Sequence, residues 1–139
     1  MPHLIVEHTR NIPGFEPHAA LRAVNAALAA SGHFEEADIK SRAHAVDTFE
    51  IGTAPEARGF VAAQLLILSG RPAEAKRQLS RLVLETLRAA LPAEPALQLQ
   101  VSVEIVDIER DSYAKTVLGG ARSTARMKHR PRPLRRADA

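Results

Sequence analysis

The apolar positions in the first fifty residues describe a strand, a helix and a second strand. Residues 3 to 9 (HLIVEHT) form a short apolar run typical of a buried strand. Residues 16 to 31 change to helical periodicity, with Pro17 suited to the first turn, and residues 38 to 51 return to a strand pattern. The helical spacing is carried by Leu21, Val24 and Leu28. The pattern therefore predicts a β-α-β unit over about residues 1 to 52.

The same order of patterns returns in the second half of the chain. The run FVAAQLLIL, residues 60 to 68, predicts a strand, and residues 72 to 91 predict a helix that ends before the prolines of PAEP. One helical stripe collects the apolar residues Leu79, Leu82, Val83, Leu87 and Leu91. Residues 97 to 108 alternate between apolar and polar side chains, as a strand does. This second unit extends over about residues 58 to 110.

Two β-α-β units in a row define the expected fold class. A helix of this length crosses back over a sheet, so the strands of each unit should run parallel with a right-handed connection. We therefore predict an α/β (α+β) fold in which both units share one four-stranded mixed sheet, with two helices on one face. The other face would be left apolar, and its burial by oligomerisation is the expectation.

Length and charge divide the chain into a folded part and a tail. At 139 residues one domain is expected, and we assign it to residues 1 to 114. Residues 115 to 139 hold 8 of the 19 Lys and Arg residues and 1 of the 16 acidic residues, so the net charge of +3 hides a mildly acidic domain. Since this tail combines Gly, Pro and like charges, we predict that it is disordered when unbound.

Several classes of function are disfavoured by the composition. The chain has no cysteine, which excludes disulfides, thiolate metal sites and a cysteine nucleophile. Its histidines show no metal-ligand spacing and no nucleotide-binding motif occurs, so neither a metal nor a cofactor is expected. Without a signal peptide or an apolar stretch of about 18 residues, the protein is interpreted as cytoplasmic, with no membrane partner. Nucleic acid is expected to make only unspecific, salt-sensitive contacts with the basic tail.

Pro2 is the first of three local features that could carry chemistry. A small second residue permits removal of the initiator Met1, which would leave a secondary amine at the start of the first strand. A free terminal amine titrates at a pH of about 8, and burial or nearby cations would lower its pKa. Such an amine is a competent general base. Position alone does not distinguish this role from an ordinary proline, a residue that makes up about 5% of sequences.

Arg71 lies in the turn SGR, between the strand over residues 60 to 68 and the following helix. Open α/β sheets usually bind ligands at the carboxyl ends of their strands, and an arginine there can hold a carboxylate with two parallel hydrogen bonds. A solvated turn residue is the other interpretation, and the pattern leaves both open.

The third feature is the alternation in IKSRAHAV, residues 39 to 46. A period of two places Lys40, Arg42 and His44 on the same side of one strand. Three cationic or potentially cationic groups would repel one another in a core. This side of the strand therefore faces water or surrounds an anion.

Together these features resemble the tautomerase superfamily, whose members use an amino-terminal proline as a base. The segment GRPAEAKRQLSRLVLETLRAAL is similar to the Gly-Arg turn and following helix of 4-oxalocrotonate tautomerase. The stretches MPHLIVEHTRNI, VNAALAASGHF and IKSRAHAVDTFEIG resemble the 5-carboxymethyl-2-hydroxymuconate isomerases of bacterial homoprotocatechuate breakdown. The resemblance covers roughly residues 1 to 112.

The resemblance implies a homotrimer, with the sheets packed into an inner barrel, and a cofactor-independent isomerase. Pro2 would take the proton from the 2-hydroxyl group of an unsaturated di- or tricarboxylate and return one to C5, giving a conjugated ketone. Arg71 matches the substrate-binding arginine of the family. Arg42 and His44 are retained in the anion-binding strand, where Lys40 replaces a common arginine and can donate only as a point charge.

Two departures from the family pattern leave the substrate open. Lys40 lacks the bidentate fork of an arginine, and Ala45 stands where the family has an aromatic residue, which opens the pocket wall. One alternative is an enzyme of the same superfamily that acts on a phenylpyruvate-like enol or a haloacrylate. The other is a non-catalytic trimer that binds an anionic partner through this scaffold and its basic tail.

Overall fold

A computed structural model describes residues 1 to 120 and contains both predicted β-α-β units. The helices and strands are β1 (His3–Thr9), α1 (Pro17–Ala30), β2 (Lys40–Val46), β3 (Arg58–Leu68), α2 (Ala73–Ala89) and β4 (Gln98–Ile108). Short 3-10 turns cover Glu36–Asp38 and Arg110–Ser112. The boundary at residue 114 stays a prediction, and most of the predicted tail, residues 121 to 139, lies outside the described residues.

The four strands form one mixed sheet in the order β2-β1-β3-β4. Each β-α-β unit contributes a parallel pair, and the central pair β1 and β3 is antiparallel, which confirms the predicted fold class. The register places His3 opposite both Lys40 and Leu66. The start of β1 therefore lies beside the start of β2 and the end of β3. The turn with Arg71 follows β3 at this same edge of the sheet.

Strand β2 is shorter than the predicted strand over residues 38 to 51. At its start, Asp38 belongs to a 3-10 turn. At its other end, Val46 is the last residue paired with β1, opposite Thr9. Because β1 ends there, the following residues lack a neighbouring strand for their backbone hydrogen bonds, and the edge strand ends with its partner.

The core lies between one sheet face and both helices. Its buried side chains recur at every second position of β1 and β3 and along one stripe of each helix. The largest of them are Leu4, Leu28, Leu65, Ile67, Leu79, Leu87, Val6, Val24, Val61 and Val83. The predicted stripe of α2 is confirmed at Leu79, Val83 and Leu87, whereas Leu82 and the post-helical Leu91 are half-buried.

The opposite face of the sheet is less apolar than the sequence indicated. At the centre of this face, half-buried Ile5 lies beside the polar side chains of Glu7, Gln64 and Glu104. Gln64 donates a hydrogen bond to Glu104 across the β3–β4 pair, with an N–O distance of 3.2 Å. Polar side chains therefore lie at the centre of the face that the sequence predicted to be apolar and covered by oligomerisation.

Among residues 1 to 120, neither α1 nor α2 has the length and apolar character that a helix needs to span a bilayer.

The centre of the core offers a test of the packing. Leu65 has no exposed surface and lies on the central strand β3. We expect Leu65→Ala to lower the free energy of unfolding by about 2–5 kcal/mol, because it removes buried methyl groups and leaves a cavity. Leu118 is 87% exposed, so Leu118→Ala is the matched control. It should change the free energy of unfolding by less than about 0.5 kcal/mol. Equal urea-unfolding midpoints for the two variants would contradict this packing.

Candidate active site

Pro2 lies immediately before β1 at the edge of the sheet, and its side chain is fully buried. Its carbonyl oxygen accepts a hydrogen bond from the backbone N–H of Lys40 at 3.1 Å, which ties it to the start of β2. Proline is suited to this place because the first position of a strand needs no donor for the ladder. The ring is thus held in a fixed position between two strands.

Met1 is also enclosed. Its side chain is 2% exposed, and the hydroxyl group of Tyr113 donates to its sulfur at 2.6 Å. The amine of Met1 lies 3.7 Å from a carboxylate oxygen of Asp38. Burial lowers the pKa of this amine below its ordinary value of 8.0; Asp38 opposes the shift, while Lys40 and Lys115 add to it. Burial therefore makes the pKa of an amine at this amino terminus lower than that of a free one.

A cleft of about 370 Å³ opens beside the amino terminus. It is lined by His3, Ala37, Asp38, Lys40, Tyr113, Lys115, Thr116 and Val117. Its charged groups are two lysines and one aspartate, and the amine of Met1 is near the same aspartate. The cleft therefore has an excess of positive charge, which suits an anionic ligand.

Asp38 organises the charges of the cleft. One of its carboxylate oxygens accepts a hydrogen bond from the ammonium group of Lys115 at 2.7 Å. This hydrogen bond lowers the pKa of Asp38, and the nearby amine of Met1 and the ammonium of Lys40 lower it further. The ammonium group of Lys40 donates to the backbone carbonyl of Asp38. Asp38 is thus an ionised group held among cations.

The strand β2 presents its cationic side chains as the alternation predicted, but only Lys40 lines the cleft. Arg42 is one step further along the same face and donates to the imidazole Nδ1 of His3 at 3.3 Å. His44 is exposed opposite Glu7, beyond the cleft. The structure therefore brings Pro2, Lys40 and Arg42 to one edge of the sheet and leaves His44 further along the strand.

Arg71 lies at the same edge but outside the cleft, bound to the loop after α1. Its guanidinium donates to Nδ1 of His33 at 3.1 Å and to the backbone carbonyl of His33 at 3.0 Å. It also stacks over the ring of Phe34, with 4.8 Å between the guanidinium carbon and the ring centroid. An arginine has five N–H donors, so three of them remain for a carboxylate.

Sequence reasoning missed several residues of this region. Asp38 is the first residue of the strand that the sequence predicts, and Tyr113 and Lys115 lie where the periodic pattern has ended. His33 is one of the histidines without metal-ligand spacing. None of them belongs to a spacing motif, because their proximity to the amino terminus or to Arg71 arises from the tertiary fold.

The imidazole of His3 provides a test of the electrostatics. Burial, followed by the charges of Lys40 and Arg42, lowers the pKa of His3 below its ordinary value of 6.5. The unfolded chain therefore binds this proton more readily, and the free energy of unfolding should fall as the pH is lowered through the window below 6.5. One titrating group changes the free energy of unfolding by at most about 1.4 kcal/mol per pH unit.

We expect His3→Gln to reduce the loss of stability between pH 7 and pH 5, as measured by urea unfolding at each pH. The exposed His18 supplies the matched control, His18→Gln, which should preserve the pH dependence of the unmodified chain. An undiminished pH dependence in His3→Gln would contradict the assigned environment.

The chemistry available at this edge is proton transfer and anion binding. A buried amino terminus lies beside two lysines and a single ionised carboxylate. Among residues 1 to 120, no three His, Asp or Glu side chains are grouped so that they could hold a metal ion. The arrangement combines an amine at the amino terminus with cations that suit an acidic ligand.

The family model of 5-carboxymethyl-2-hydroxymuconate isomerase matches residues 2 to 118 of this chain. The chain is similar to a 5-carboxymethyl-2-hydroxymuconate Delta-isomerase from Escherichia coli. The two are 36% identical over an alignment of 108 residues, with a coverage of 75% of this chain and 86% of that protein.

Solved structures give the same fold. A 5-carboxymethyl-2-hydroxymuconate isomerase from Deinococcus radiodurans R1 superimposes with a TM-score of 0.77 and 27% identity, covering 83% of this chain and 88% of that one. The "Q0 fused 4-OT wild type symmetric trimer" has a TM-score of 0.63 at 18% identity, covering 81% of this chain and 90% of that one. The second likeness shows the shared fold.

Proposed function

Because this chain belongs to the 5-carboxymethyl-2-hydroxymuconate isomerase family, we propose that it isomerises an unsaturated 2-hydroxy polycarboxylate with the amine of Pro2 as general base. The proposed substrate is 5-carboxymethyl-2-hydroxymuconate or a similar dienol of aromatic catabolism. The observation that carries the proposal is the burial of Pro2 at the edge of the sheet beside a positively charged cleft.

The base requires removal of Met1. With Met1 attached, the nitrogen of Pro2 is a tertiary amide and has no basic lone pair. After removal, a secondary amine would stand at the start of β1, where burial and the cations of the cleft favour its neutral form. The amine takes the proton of the 2-hydroxyl group, electrons shift along the conjugated system, and a proton is returned to C5. The product is the conjugated ketone.

Cations at the sheet edge would hold the carboxylates of the substrate. Lys40 lines the cleft, and Arg42 is its neighbour on the same strand face. Arg71, at the end of β3, is the proposed partner of a further carboxylate or of the developing carbonyl oxygen. Such contacts speed the reaction to the extent that they strengthen in the transition state. His44 would contribute to the same anionic field from further along β2.

We also propose that the protein is a homotrimer. The support is the likeness of the fold to a symmetric trimer and the open sheet face, which neither helix covers. Analytical ultracentrifugation of the full chain tests this, since a mass of three chains is expected. A monomer at micromolar concentration would contradict it.

Ultraviolet assays over a small panel of substrates test the proposed activity. We expect the loss of the 5-carboxymethyl-2-hydroxymuconate dienol to be catalysed with a larger kcat/KM than that of a phenylpyruvate enol, because the first carries three carboxylates for the cationic edge. A higher kcat/KM for the enol or for a haloacrylate would replace the proposed substrate. No turnover of any of them would contradict the proposed function.

A further inference from the structure

The chain that follows β4 returns to the amino terminus. After Ile108 the backbone passes through the turn Arg110–Ser112, which is anchored because Arg110 donates to the carbonyl oxygen of Ser69 at 2.6 Å. Tyr113 then contacts the sulfur of Met1, and the residues 115 to 117 line the cleft. The segment 113 to 117 is therefore one wall of the proposed substrate site.

Lys115 is the charged side chain of this wall. Its ammonium group has three N–H donors, and one is engaged by Asp38 at 2.7 Å. The side chain is 32% exposed, so the ammonium remains accessible to a ligand. Asp38 has its other oxygen 3.7 Å from the amine of Met1. Asp38 thus fixes Lys115 near the place where the reacting end of a substrate would lie.

The charges of the cleft are unbalanced. Lys40 and Lys115 both lie near a single carboxylate, that of Asp38, and the ammonium group of Lys40 is bonded to a backbone carbonyl. Arg42 donates to His3, a neutral acceptor, and not to a carboxylate. Cations of the same sign held this close repel one another, and an anion placed between them removes that repulsion.

Met1 packs against the wall of the cleft. Its buried side chain is in contact with Tyr113, which also lines the cleft. Removal of Met1 would therefore enlarge the cleft on the side of the segment 113 to 117, at the same time as it frees the amine of Pro2. The space so created adjoins the residues around Lys115.

We propose that Lys115 binds a carboxylate of the substrate and that Asp38 positions its ammonium group for this contact. The inference rests on the proposed function, because it names a further group that holds the proposed polycarboxylate. It places the start of the segment assigned to the tail within the active site. The competing interpretation is a purely structural ion pair that ties residues 113 to 117 to the turn before β2.

The chain offers a closely matched control. Lys76 on α2 donates to Asp107 on β4 at 2.7 Å, the same distance as between Lys115 and Asp38. The lysines of the two pairs are 30% and 32% exposed, and the aspartates are 40% and 38% exposed. Lys76→Met therefore removes an equivalent surface ion pair away from the cleft.

The test uses the full chain without Met1 and a saturated tricarboxylate, propane-1,2,3-tricarboxylate, as a probe for calorimetric titration. We expect Lys115→Met to raise the Kd of the probe, and the KM of the dienol, by about 10- to 100-fold, with kcat changed by less than about threefold. Lys115→Arg keeps the charge and should stay within about threefold of the unmodified chain. Lys76→Met should leave Kd and KM unchanged.

Three outcomes overturn the inference. The first is that Lys115→Met and Lys76→Met bind the probe with equal Kd. A purely structural ion pair predicts this equality, even where the melting temperature of Lys115→Met is lower. The second is the same loss of affinity in Lys115→Arg as in Lys115→Met. The third is no binding of the probe to the unmodified chain at millimolar concentration. If the chain does not isomerise the dienol, the proposed function fails, and the titration still decides whether Lys115 binds carboxylates.

Discussion

Pro2→Ala should lower kcat by at least about 100-fold while the chain stays folded. A positioned general base contributes about 10²- to 10⁴-fold to a rate. The variant still begins with an amine after removal of Met1, but it is a primary amine on a mobile residue, without the fixed geometry of the ring. We therefore expect a loss near the lower end of this range. The measurement is steady-state turnover of the dienol by protein whose intact mass confirms the absence of Met1.

The stability of this variant separates a catalytic loss from a folding defect. The ring of Pro2 is buried, so its truncation should lower the free energy of unfolding, by no more than about 2 kcal/mol. Pro55, an exposed residue before β3 at the opposite end of the sheet, supplies the control Pro55→Ala. It should keep full turnover. Turnover by Pro2→Ala equal to that of the control would exclude the proline as the base.

Arg71→Ala should lower kcat/KM by about 10- to 100-fold. Hydrogen bonds to charged groups contribute about 1.5–3 kcal/mol, and the guanidinium retains three N–H donors beyond the two that bind His33. Arg71→Lys should recover little of the loss, because an ammonium cannot form the bidentate fork and cannot bond to both acceptors of His33 in the same geometry. Steady-state kinetics with the dienol measures both effects.

The exposed Arg81 on α2 provides the matched control for Arg71. Arg81→Ala removes the same charge from the protein and should leave kcat/KM within about twofold of the unmodified chain. Arg71→Ala also frees His33 and Phe34, so its melting temperature is measured beside its kinetics. A variant that loses stability but keeps kcat/KM would assign Arg71 to the loop after α1 and not to the substrate.

The fold was predictable because its elements depend on local periodicity. Neighbouring residues carry each pattern: the apolar run of β3, the alternation of β4 and the stripe Leu79, Val83 and Leu87 of α2. The structure has these elements within a few positions of the prediction. The predicted length of β2 is too great because β2 ends where its partner β1 ends, and β1 is distant in the sequence. The polar character of the open sheet face was also underestimated, since Gln64 and Glu104 meet only when β3 pairs with β4.

The candidate site was predictable only in part. Pro2, Lys40 and Arg42 have positions that follow from the strand pattern, and all of them lie at one edge of the sheet. Asp38 and Lys115 are 77 residues apart in the chain, and no spacing rule could have paired them. The hydrogen bonds of Arg71 to His33 join two turns in the same way. Such contacts are a product of the tertiary fold, which brings these turns to one edge.

The role of the Pro2 amine is tested most directly by two forms of the same chain, one that retains Met1 and one that begins at Pro2, each identified by intact mass. We expect the form beginning at Pro2 to isomerise the dienol with a kcat at least about 10³-fold above that of the form with Met1, because an amide nitrogen cannot accept the proton. Equal turnover by the two forms would contradict the role of the Pro2 amine as the base.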